Sequence, residues 1–329
     1  MSRDRPAVSV VTLTWNHGPH LAECLDSVRR QTFEDWEQVV LDDGSTDGSV
    51  DAAIGDADPR VRFLRERHRG ADAIPDLYRR ALAACRGRMI GFVDGDDQWT
   101  PTALERGVAG LHDGRAVLSW GCTEVFGERS RLIPGDDVLL RHPLSALQNE
   151  PVGAAALALL DPAVVMPFTL TACLLRRDVL DRIGGLQTRP GLPVMDHPTL
   201  LRLSLEGPFR YVGETVARHR VSSGTVSRRE MSRIDLGVYV SIRRFRRQHG
   251  YRIPCDEAGW RRIDEGWRHR LLRRSLGRAG LQLLGEGRWG AAALLGALLL
   301  RTPWLWSSEL ERLRGAVARR RRATSLPGS

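Results

Sequence analysis

The sequence predicts an α/β fold: a mostly parallel β-sheet flanked by helices, followed by an α-helical C-terminal extension. Two features of the chain support this prediction. In the first half, short β-branched runs alternate with segments whose apolar residues recur at helical spacing. Beyond residue 225 the pattern becomes helical and rich in arginine. Because strands that alternate with helices of this length form βαβ units, the first half is expected to fold as a Rossmann-like sheet.

The elements of the predicted sheet follow one another closely along the chain. Strands are predicted at 7–14, 36–41, 61–66 and 88–94, and helices between them at about 21–31, 48–54 and 74–86. Thr100 followed by Pro101 is typical of a helix start, with threonine as the N-cap. Further strands are predicted at 116–127 and 169–177, and a short helix closed by glycine at 176–186. The stretch 128–168 is not assigned.

The charge of the chain changes where the helical pattern begins. Residues 1–225 contain 26 arginines and 31 acidic residues, whereas residues 226–329 contain 23 arginines and 9 acidic residues. We therefore predict a sheet domain at 1–225 and a basic helical region at 226–329 that ends in a disordered tail. Any attraction to nucleic acid or to anionic lipid is expected in the second region.

The basic region contains an amphipathic helical pattern. Trp260, Ile263, Trp267 and Leu271 share one face, and arginines lie off it. This pattern favours peripheral contact with an anionic membrane over nucleic acid, which is not expected as a partner. The alternative for the two tryptophans is a place in the core or in an interface. A membrane span is not predicted, because the best stretch, 289–300, has 12 uncharged residues where about 20 are needed.

Cysteine usage and the N-terminus bear on the compartment. The five cysteines are scattered and form no CxxC pair, which argues against a zinc site and a disulfide framework. The first residues lack the layout of a signal peptide. We therefore expect a cytoplasmic protein that is at most peripheral at the inner face of the cell membrane.

Acidic residues collect where the predicted strands end. Asp42 and Asp43 follow the second strand, and Asp94, Asp96 and Asp97 follow the fourth. Ligands of such sheets bind beyond the carboxyl ends of the strands, so these groups are expected at one edge. Carboxylates there can hold Mg²⁺ or Mn²⁺ together with substrate phosphates. The alternatives are a helix-capping turn for the first pair and a solvated loop for the second cluster.

These residues resemble the motifs of glycosyltransferase family 2. The resemblance rests on three motifs in order, Thr14-Trp15-Asn16, Asp42-Asp43-Gly44-Ser45 and Asp94-Gly95-Asp96-Asp97. It covers about residues 7–225 and is most specific in its opening hundred residues. It implies a GT-A fold and inverting transfer of a sugar from a nucleoside-diphosphate donor to an acceptor hydroxyl, as in the synthesis of cell-surface polysaccharides or glycoconjugates.

The resemblance also implies roles on the donor side. Asp43 would hydrogen-bond the nucleobase beside Trp15, Asp96 would contact the ribose, and Asp97 would ligate the Mg²⁺ or Mn²⁺ that bridges the diphosphate. The remaining residues implied in binding the nucleotide-sugar are Thr14, Asn16, Asp42 and Asp94.

On the acceptor side, the resemblance makes Asp196 the catalytic base, which removes the proton of the attacking hydroxyl. Its alternative is an acid placed at a helix N-terminus for electrostatic reasons. The acceptor implied is a saccharide or a lipid-linked saccharide, and the roles of His219 and Arg220 stay open. The alternative function is a non-catalytic protein that uses its basic C-terminal region to bind a membrane or nucleic acid.

Overall fold

The computed structural model describes residues 5–55, 58–127, 131–133, 144–163, 168–189, 191–221 and 230–274. The chain divides into two compact units, Met1–Glu257 and Ala258–Ser329. The predicted disordered tail and the apolar stretch 289–300 lie outside the described residues. The predicted division into a sheet domain at 1–225 and a basic helical region at 226–329 stays a prediction.

The strands form one mixed sheet. Their bounds are β1 (Val8–Thr14), β2 (Trp36–Asp42), β3 (Val61–Arg65), β4 (Met89–Phe92), β5 (Gln98–Trp99), β6 (Leu118–Gly127), β7 (Arg131–Ile133), β8 (Cys173–Arg176) and β9 (Phe209–Val221). Within the described part of the chain the order is β3-β2-β1-β4-β8-β6-β9-β5, with β7 paired to β6. The pairs among β1 to β4 are parallel, as is β6 with β9. The other pairs are antiparallel, so the predicted α/β class is confirmed and its parallel half is the N-terminal one.

Helices flank this sheet. Their bounds are α1 (Pro19–Arg29), α2 (Ser49–Gly55), α3 (Ile74–Ala84), α4 (Ala103–Gly110), α5 (Leu144–Leu147), α6 (Ala154–Leu160), α7 (Arg177–Arg182), α8 (Asp196–Leu203), α9 (Met231–His249) and α10 (Glu257–Arg274). Short 3₁₀ turns lie at Ala71–Ala73, Leu170–Ala172 and Gly250–Arg252. The short helices α5 and α6 lie in the stretch that the sequence pattern left unassigned.

The parallel half forms because its strands are apolar on both faces. Val8, Val10 and Val11 of β1 are fully buried, as expected for a central parallel strand covered by helices on both sides. Helix α1 turns Leu21 and Val28 inward at helical spacing. The chain therefore reverses after each strand, and the loops that follow β1, β2 and β4 are brought to the same edge of the sheet.

The helix predicted to start at Thr100 begins three residues later, at Ala103. Thr100 instead continues the contact with β9, since its amide donates to the Val216 carbonyl at 3.0 Å and its hydroxyl to the Thr215 carbonyl at 3.0 Å. The prediction of Thr100 as the N-cap is wrong, because these two hydrogen bonds hold Thr100 against β9 and Thr102 takes the N-cap position.

The C-terminal region is helical as far as it is described. Helix α9 belongs to the first compact unit and packs against α8. Trp260 and Trp267 of α10 are 4% and 0% exposed, which agrees with the core or interface alternative for these rings. Among the described residues, no helix is both long enough and apolar enough to cross a membrane.

Candidate active site

Backbone hydrogen bonds hold together the segments that follow β1, β2 and β4. The Asp43 amide donates to the Thr14 carbonyl at 2.9 Å, and the Gly95 amide donates to the Leu13 carbonyl at 2.9 Å. Thr14 also lies opposite Asp42 in the register of β1 with β2. The three strand ends that were predicted to meet at one edge therefore do meet.

Gly95 lies where these segments are closest. A Cβ at this position would be 2.5 Å from His17 Nδ1 and 2.8 Å from Thr14 Oγ1, both shorter than real contacts allow. Thr14 is itself fully buried, with Oγ1 3.2 Å from His17 Nδ1. A residue without a side chain is therefore needed between the acids of the β4 loop.

The carboxylate of Asp43 is held by the loop that follows β3. Asp43 is 4% exposed and accepts hydrogen bonds from the Arg69 amide at 2.9 Å and the Gly70 amide at 3.3 Å. His68 Nδ1 lies 2.9 Å from its second oxygen. A carboxylate offers about four acceptor positions, so Asp43 is fixed in orientation and keeps capacity for a base N–H.

Gly44 lets this loop close over Asp43. Its φ is +74°, in the left-handed region, and a Cβ would lie 2.6 Å from the His68 amide nitrogen. Both the backbone conformation and the close approach of the loop therefore require glycine.

We expect Gly44→Ala to destabilise the fold by about 1–3 kcal/mol, because the new methyl group must push away the loop 66–70. It should also weaken binding of UDP or GDP with Mn²⁺, since that loop orients Asp43. Thermal unfolding and calorimetry measure the two effects. Gly48→Ala is the matched control: its φ is +75°, but a Cβ there meets nothing within 4 Å. Equal loss of nucleotide affinity in both variants would show that backbone strain alone is responsible.

Trp15 and Asn16 lie on the exposed side of the same edge. The Trp15 ring is 39% exposed and stacks on His68, with ring centroids 4.2 Å apart and planes inclined by 14°. Asn16 joins the β1 loop to the β2 loop. Its backbone amide donates to Ser45 Oγ at 2.9 Å, and its side-chain Oδ1 accepts from the Thr46 backbone amide at 2.8 Å. The two loops therefore present one continuous surface with an aromatic face.

Asp42 is buried and shapes the turn after β2. Its carboxylate accepts from the Ser45 amide at 2.9 Å and lies 3.6 Å from Arg65. With one oxygen occupied by the turn, Asp42 positions the loop that carries Asp43.

Asp94 is half-buried beside other carboxylates and accepts a hydrogen bond from the Tyr78 hydroxyl. Burial raises the pKa of Asp94 well above its usual value, and the charges of Asp97, Asp96 and Asp196 raise it further. His219 opposes this rise. Such crowding of acids is favourable when a cation neutralises them.

The Asp97 carboxylate is held by β9, and its role as metal ligand stays a prediction. Asp97 is fully buried, both of its oxygens lie 3.0 Å from His219 Nδ1, and one accepts from the Arg220 amide at 2.8 Å. Burial raises the pKa of Asp97, while the hydrogen bond and charge of His219 lower it. Burial alone would lower the pKa of His219, but Asp97, together with the charges of Asp94 and Asp96, raises it to about 9. The His219 ring is therefore charged near neutral pH and lies against the Asp97 carboxylate.

Asp96 is half-buried, as is Asp94, whereas Asp97 is fully buried. The Asp96 carboxylate has no hydrogen bond or ion pair with the described residues. Its backbone carbonyl instead accepts from Arg220 Nε at 3.0 Å. Arg220 is also paired with Glu23 and lies over the Phe126 ring, 4.4 Å from its centroid. The backbone of the acid loop is therefore anchored from β9 while the Asp96 side chain is left available.

The residues present fit a divalent cation. Within the described ranges, no group of three or more acidic, histidine or cysteine side chains forms a complete metal cage. Mg²⁺ and Mn²⁺ in nucleotide sites use one or two carboxylates, with phosphate oxygens and water as the other ligands. Asp96, with Asp94 beside it, supplies that number of carboxylates.

Asp196 is the first residue of α8, at the N-terminal end of the helix. Its charge acts on Asp94 and Cys173, which places it beside the β4 loop and the start of β8. Burial raises the pKa of Asp196 to about 6, although its own backbone amide and His219 oppose the rise. A carboxylate with a raised pKa beside an acid cluster has the chemistry of a general base, in addition to a favourable place at a helix N-terminus.

The neighbouring histidine has a structural role. His197 is 1% exposed, and its Nε2 lies 2.6 Å from the Leu159 carbonyl of α6. Burial lowers the pKa of His197 to about 4, so the ring is neutral near pH 7.

The sequence assigned no role to several side chains that contact the acids of the site, among them His68, Tyr78 and His219. Each contacts an acid far away in the chain, with His68 25 residues from Asp43 and His219 122 residues from Asp97. No local pattern marks such residues. For His219 and Arg220 the signal was a loose match of their segment to the Arg-x-His pattern of the family, which left their roles open.

Known proteins resemble this chain in sequence. A family model described as "Glycosyl transferase family 2" matches residues 9–184. "Uncharacterized glycosyltransferase EpsJ" of Bacillus subtilis is 35% identical over 103 residues, 31% of this chain and 29% of that protein. "Putative teichuronic acid biosynthesis glycosyltransferase TuaG" of Bacillus subtilis is 31% identical over 108 residues, 32% of this chain and 42% of the relative.

A third relative is "UDP-Glc:alpha-D-GlcNAc-diphosphoundecaprenol beta-1,3-glucosyltransferase WfgD" of Escherichia coli. It is 27% identical over 123 residues, 37% of this chain and 48% of that protein. The chain thus spans less than half the length of each of these curated relatives.

Solved structures share the fold. S. aureus TarS 1–349 in complex with UDP-GlcNAc is similar with a TM-score of 0.56 and 16% identity, covering 80% of this chain and 72% of that one. Mannosyltransferase PcManGT from Pyrobaculum calidifontis in complex with GDP-Man and Mn²⁺ has a TM-score of 0.54 and 21% identity, covering 95% and 86%. The family match runs from β1 to the end of α7, more than half of the sequence, and the strand ends carry its motifs: this chain belongs to glycosyl transferase family 2.

Proposed function

We propose that this protein transfers a sugar from a nucleoside-diphosphate donor to an acceptor hydroxyl, with inversion at the anomeric carbon. The observation that supports this most directly is Asp196, a carboxylate with a raised pKa beside the acid cluster of the β4 loop. Its pKa of about 6 leaves most of the group ionised at pH 7 and still basic enough to accept a proton.

The donor nucleotide is bound at the ends of β1 and β2 in this proposal. Asp43, held by the amides of Arg69 and Gly70, accepts a hydrogen bond from the base. The exposed face of Trp15 packs against the base. Thr14, Asn16 and Asp42 keep these loops in register, as their hydrogen bonds indicate.

The acids of the β4 loop divide the remaining work. Asp96, with Asp94 beside it, would hold Mg²⁺ or Mn²⁺, which when bound supplies positive charge to the leaving diphosphate. Asp97 is a positioning residue in this proposal, because it fixes His219. The His219 imidazolium, half-exposed next to the acids, is then available to hydrogen-bond a diphosphate oxygen.

Asp196 carries the acceptor side of the reaction. Its carboxylate takes the proton of the acceptor hydroxyl while that oxygen attacks the anomeric carbon from the face opposite the diphosphate. The C–O bond to the diphosphate breaks as the new glycosidic bond forms, so one displacement inverts the configuration. Placing the base on a helix fixes the angle from which the acceptor must approach.

The names of two relatives support a proposal for the acceptor class. TuaG is described as a teichuronic acid biosynthesis enzyme, and the printed name of WfgD contains a diphosphoundecaprenol-linked sugar. We propose an acceptor of that kind, a saccharide or a lipid-linked saccharide, in polysaccharide or glycoconjugate synthesis. An acceptor in a membrane is consistent with a cytoplasmic protein whose arginine-rich C-terminal region contacts anionic lipid, which stays part of the proposal.

A screen of UDP- and GDP-sugars with Mn²⁺ tests the proposal, with release of the nucleoside diphosphate as the readout. Release that depends on Mn²⁺ and on one donor is the expected result. Thermal stabilisation by UDP or GDP with Mn²⁺, compared with single-stranded DNA, gives an independent measurement. Stabilisation by DNA and by neither nucleotide would favour the non-catalytic binding protein instead.

The pH dependence of the reaction follows from Asp196. The base works in its ionised form, so kcat/KM at low acceptor concentration should fall as the pH drops through about 6. The ascending limb of the pH profile should be missing in Asp196→Asn, whatever activity remains. If kcat/KM of Asp196→Asn still rises with pH near 6, the titrating group is a residue other than Asp196.

A further inference from the structure

Helix α9 follows the region that matches the family, yet it reaches both halves of the proposed site through Arg233. The side chain is 5% exposed and its guanidinium contacts three segments. One nitrogen, Nη2, lies 2.6 Å from Asp72 Oδ1 and donates to the Gly191 carbonyl at 2.7 Å. The other, Nη1, donates to Glu230 at 2.8 Å. A single nitrogen atom therefore joins the segment of Asp72 to the segment of Gly191.

The two segments serve different parts of the site. Asp72 lies in the 3₁₀ turn Ala71–Ala73, directly after Arg69 and Gly70, whose amides hold Asp43. Gly191 begins the loop that runs to Asp196 at the start of α8. Arg233 thus lies between two loops. One orients Asp43, which is proposed to bind the nucleobase, and the other carries Asp196, the proposed general base.

A second contact of α9 supports the same role. A Cβ on Gly237 would lie 2.4 Å from Val194 Cγ1 and 3.4 Å from Leu192 Cβ. Gly237 is one turn beyond Arg233, so both contacts lie on one face of the helix. Glycine inside a helix costs about 1 kcal/mol relative to alanine, and here it allows the helix to approach the loop 191–195.

The environment of Arg233 fits a positioning role. Burial disfavours its charge, but Glu230 and Asp72 raise the pKa of Arg233 above its usual value. The Arg233 Nε is buried with no hydrogen-bond partner among the described residues. An unpaired buried N–H lowers the stability of the fold, so stability by itself does not explain this arginine. The Asp72 side chain is half-exposed. Its carboxylate is therefore not part of the packed core.

We propose that Arg233 is a positioning residue that couples the donor loop 69–73 to the catalytic-base loop 191–196, with Gly237 seating the second loop on α9. The inference rests on the proposed function for its kinetic consequences. Its structural consequence, the ordering of two loops by one side chain, is independent of which substrate the protein uses.

Hydrogen exchange of the free protein tests the structural part. Asp72→Asn should speed exchange about tenfold in the segment 66–73 and leave 191–196 unchanged. Gly237→Ala should do the reverse, and Arg233→Gln should speed exchange in both. Arg247→Gln, an exposed arginine on the same helix, is the matched control and should change neither. If Arg233→Gln does not fold, the half-exposed Asp72 still gives the test. Unchanged exchange in Asp72→Asn overturns the inference.

Calorimetry and kinetics test the consequence for the reaction. With UDP or GDP and Mn²⁺ as the probe, Asp72→Asn should weaken nucleotide binding about fivefold and leave kcat nearly unchanged. Gly237→Ala should lower kcat and keep nucleotide affinity. Adding Asp72→Asn to Arg233→Gln should cause no further loss of affinity, because both remove the same link.

A wild-type protein that binds neither nucleotide refutes the proposed function, whereas the exchange result decides the inference separately. Additive losses, or losses that merely follow the fraction unfolded, contradict the coupling.

Discussion

Replacing Asp196 with asparagine should lower kcat by at least about a hundredfold and leave the affinity for the nucleotide donor unchanged. Asparagine keeps the size of the side chain and its place at the start of α8. It cannot take the proton of the acceptor hydroxyl, so the loss belongs to the chemical step. Steady-state transfer and calorimetric binding of the nucleoside diphosphate with Mn²⁺ together measure this.

Asp181→Asn is the matched control for this substitution. Asp181 also lies on a short helix, α7, but its side chain is 62% exposed and, among the described residues, forms an ion pair with Arg177 at 3.6 Å. The control should transfer sugar at the wild-type rate. Near wild-type transfer by Asp196→Asn would mean that the acid serves the helix terminus alone and that the base lies elsewhere. A large loss of donor affinity would instead place Asp196 on the donor side.

Replacing Asp96 with asparagine should abolish the Mn²⁺ dependence of nucleoside-diphosphate binding while leaving thermal stability nearly unchanged. The Asp96 carboxylate makes no hydrogen bond or ion pair with the residues that the structure describes, so the fold loses little. The cation loses a charged ligand in a cluster that needs neutralisation. Calorimetric titrations of UDP and GDP, with and without Mn²⁺, measure the effect.

Asp97→Asn provides the contrast. Removing this charge leaves the His219 cation without its buried partner, so we expect a loss of stability of about 3 kcal/mol before any effect on metal binding is considered. Thermal and denaturant unfolding separate the two variants. The reverse outcome, with a stable Asp97→Asn that has lost Mn²⁺ dependence and an Asp96→Asn that has kept it, would restore the metal to Asp97 as the sequence motif implied.

Residue order and hydrophobic pattern were enough to predict the parallel half of the sheet. The β-branched run of β1 and the helical spacing of α1 are local properties, and burial follows from them directly. Because β1, β2 and β4 run in parallel, their ends share an edge, which is why Asp43 and Asp94 could be expected to be neighbours. The antiparallel pairing of β8 with β4 and β6 had no such signal, because strand order in the sheet depends on long-range packing.

The family motifs, and the edge of the sheet at which they lie, could be predicted because both follow from residue type and chain order. Which acid keeps a free carboxylate depends on packing between distant segments. Asp96 and Asp97 are adjacent and chemically identical, yet His219 arrives from β9 and occupies one of them. In the same way, the loop 68–70 arrives to fix Asp43, and Arg233 joins two loops that are more than a hundred residues apart in the chain. The charge, burial and pKa of a carboxylate depend on the groups that pack against it, and here those groups are distant in sequence.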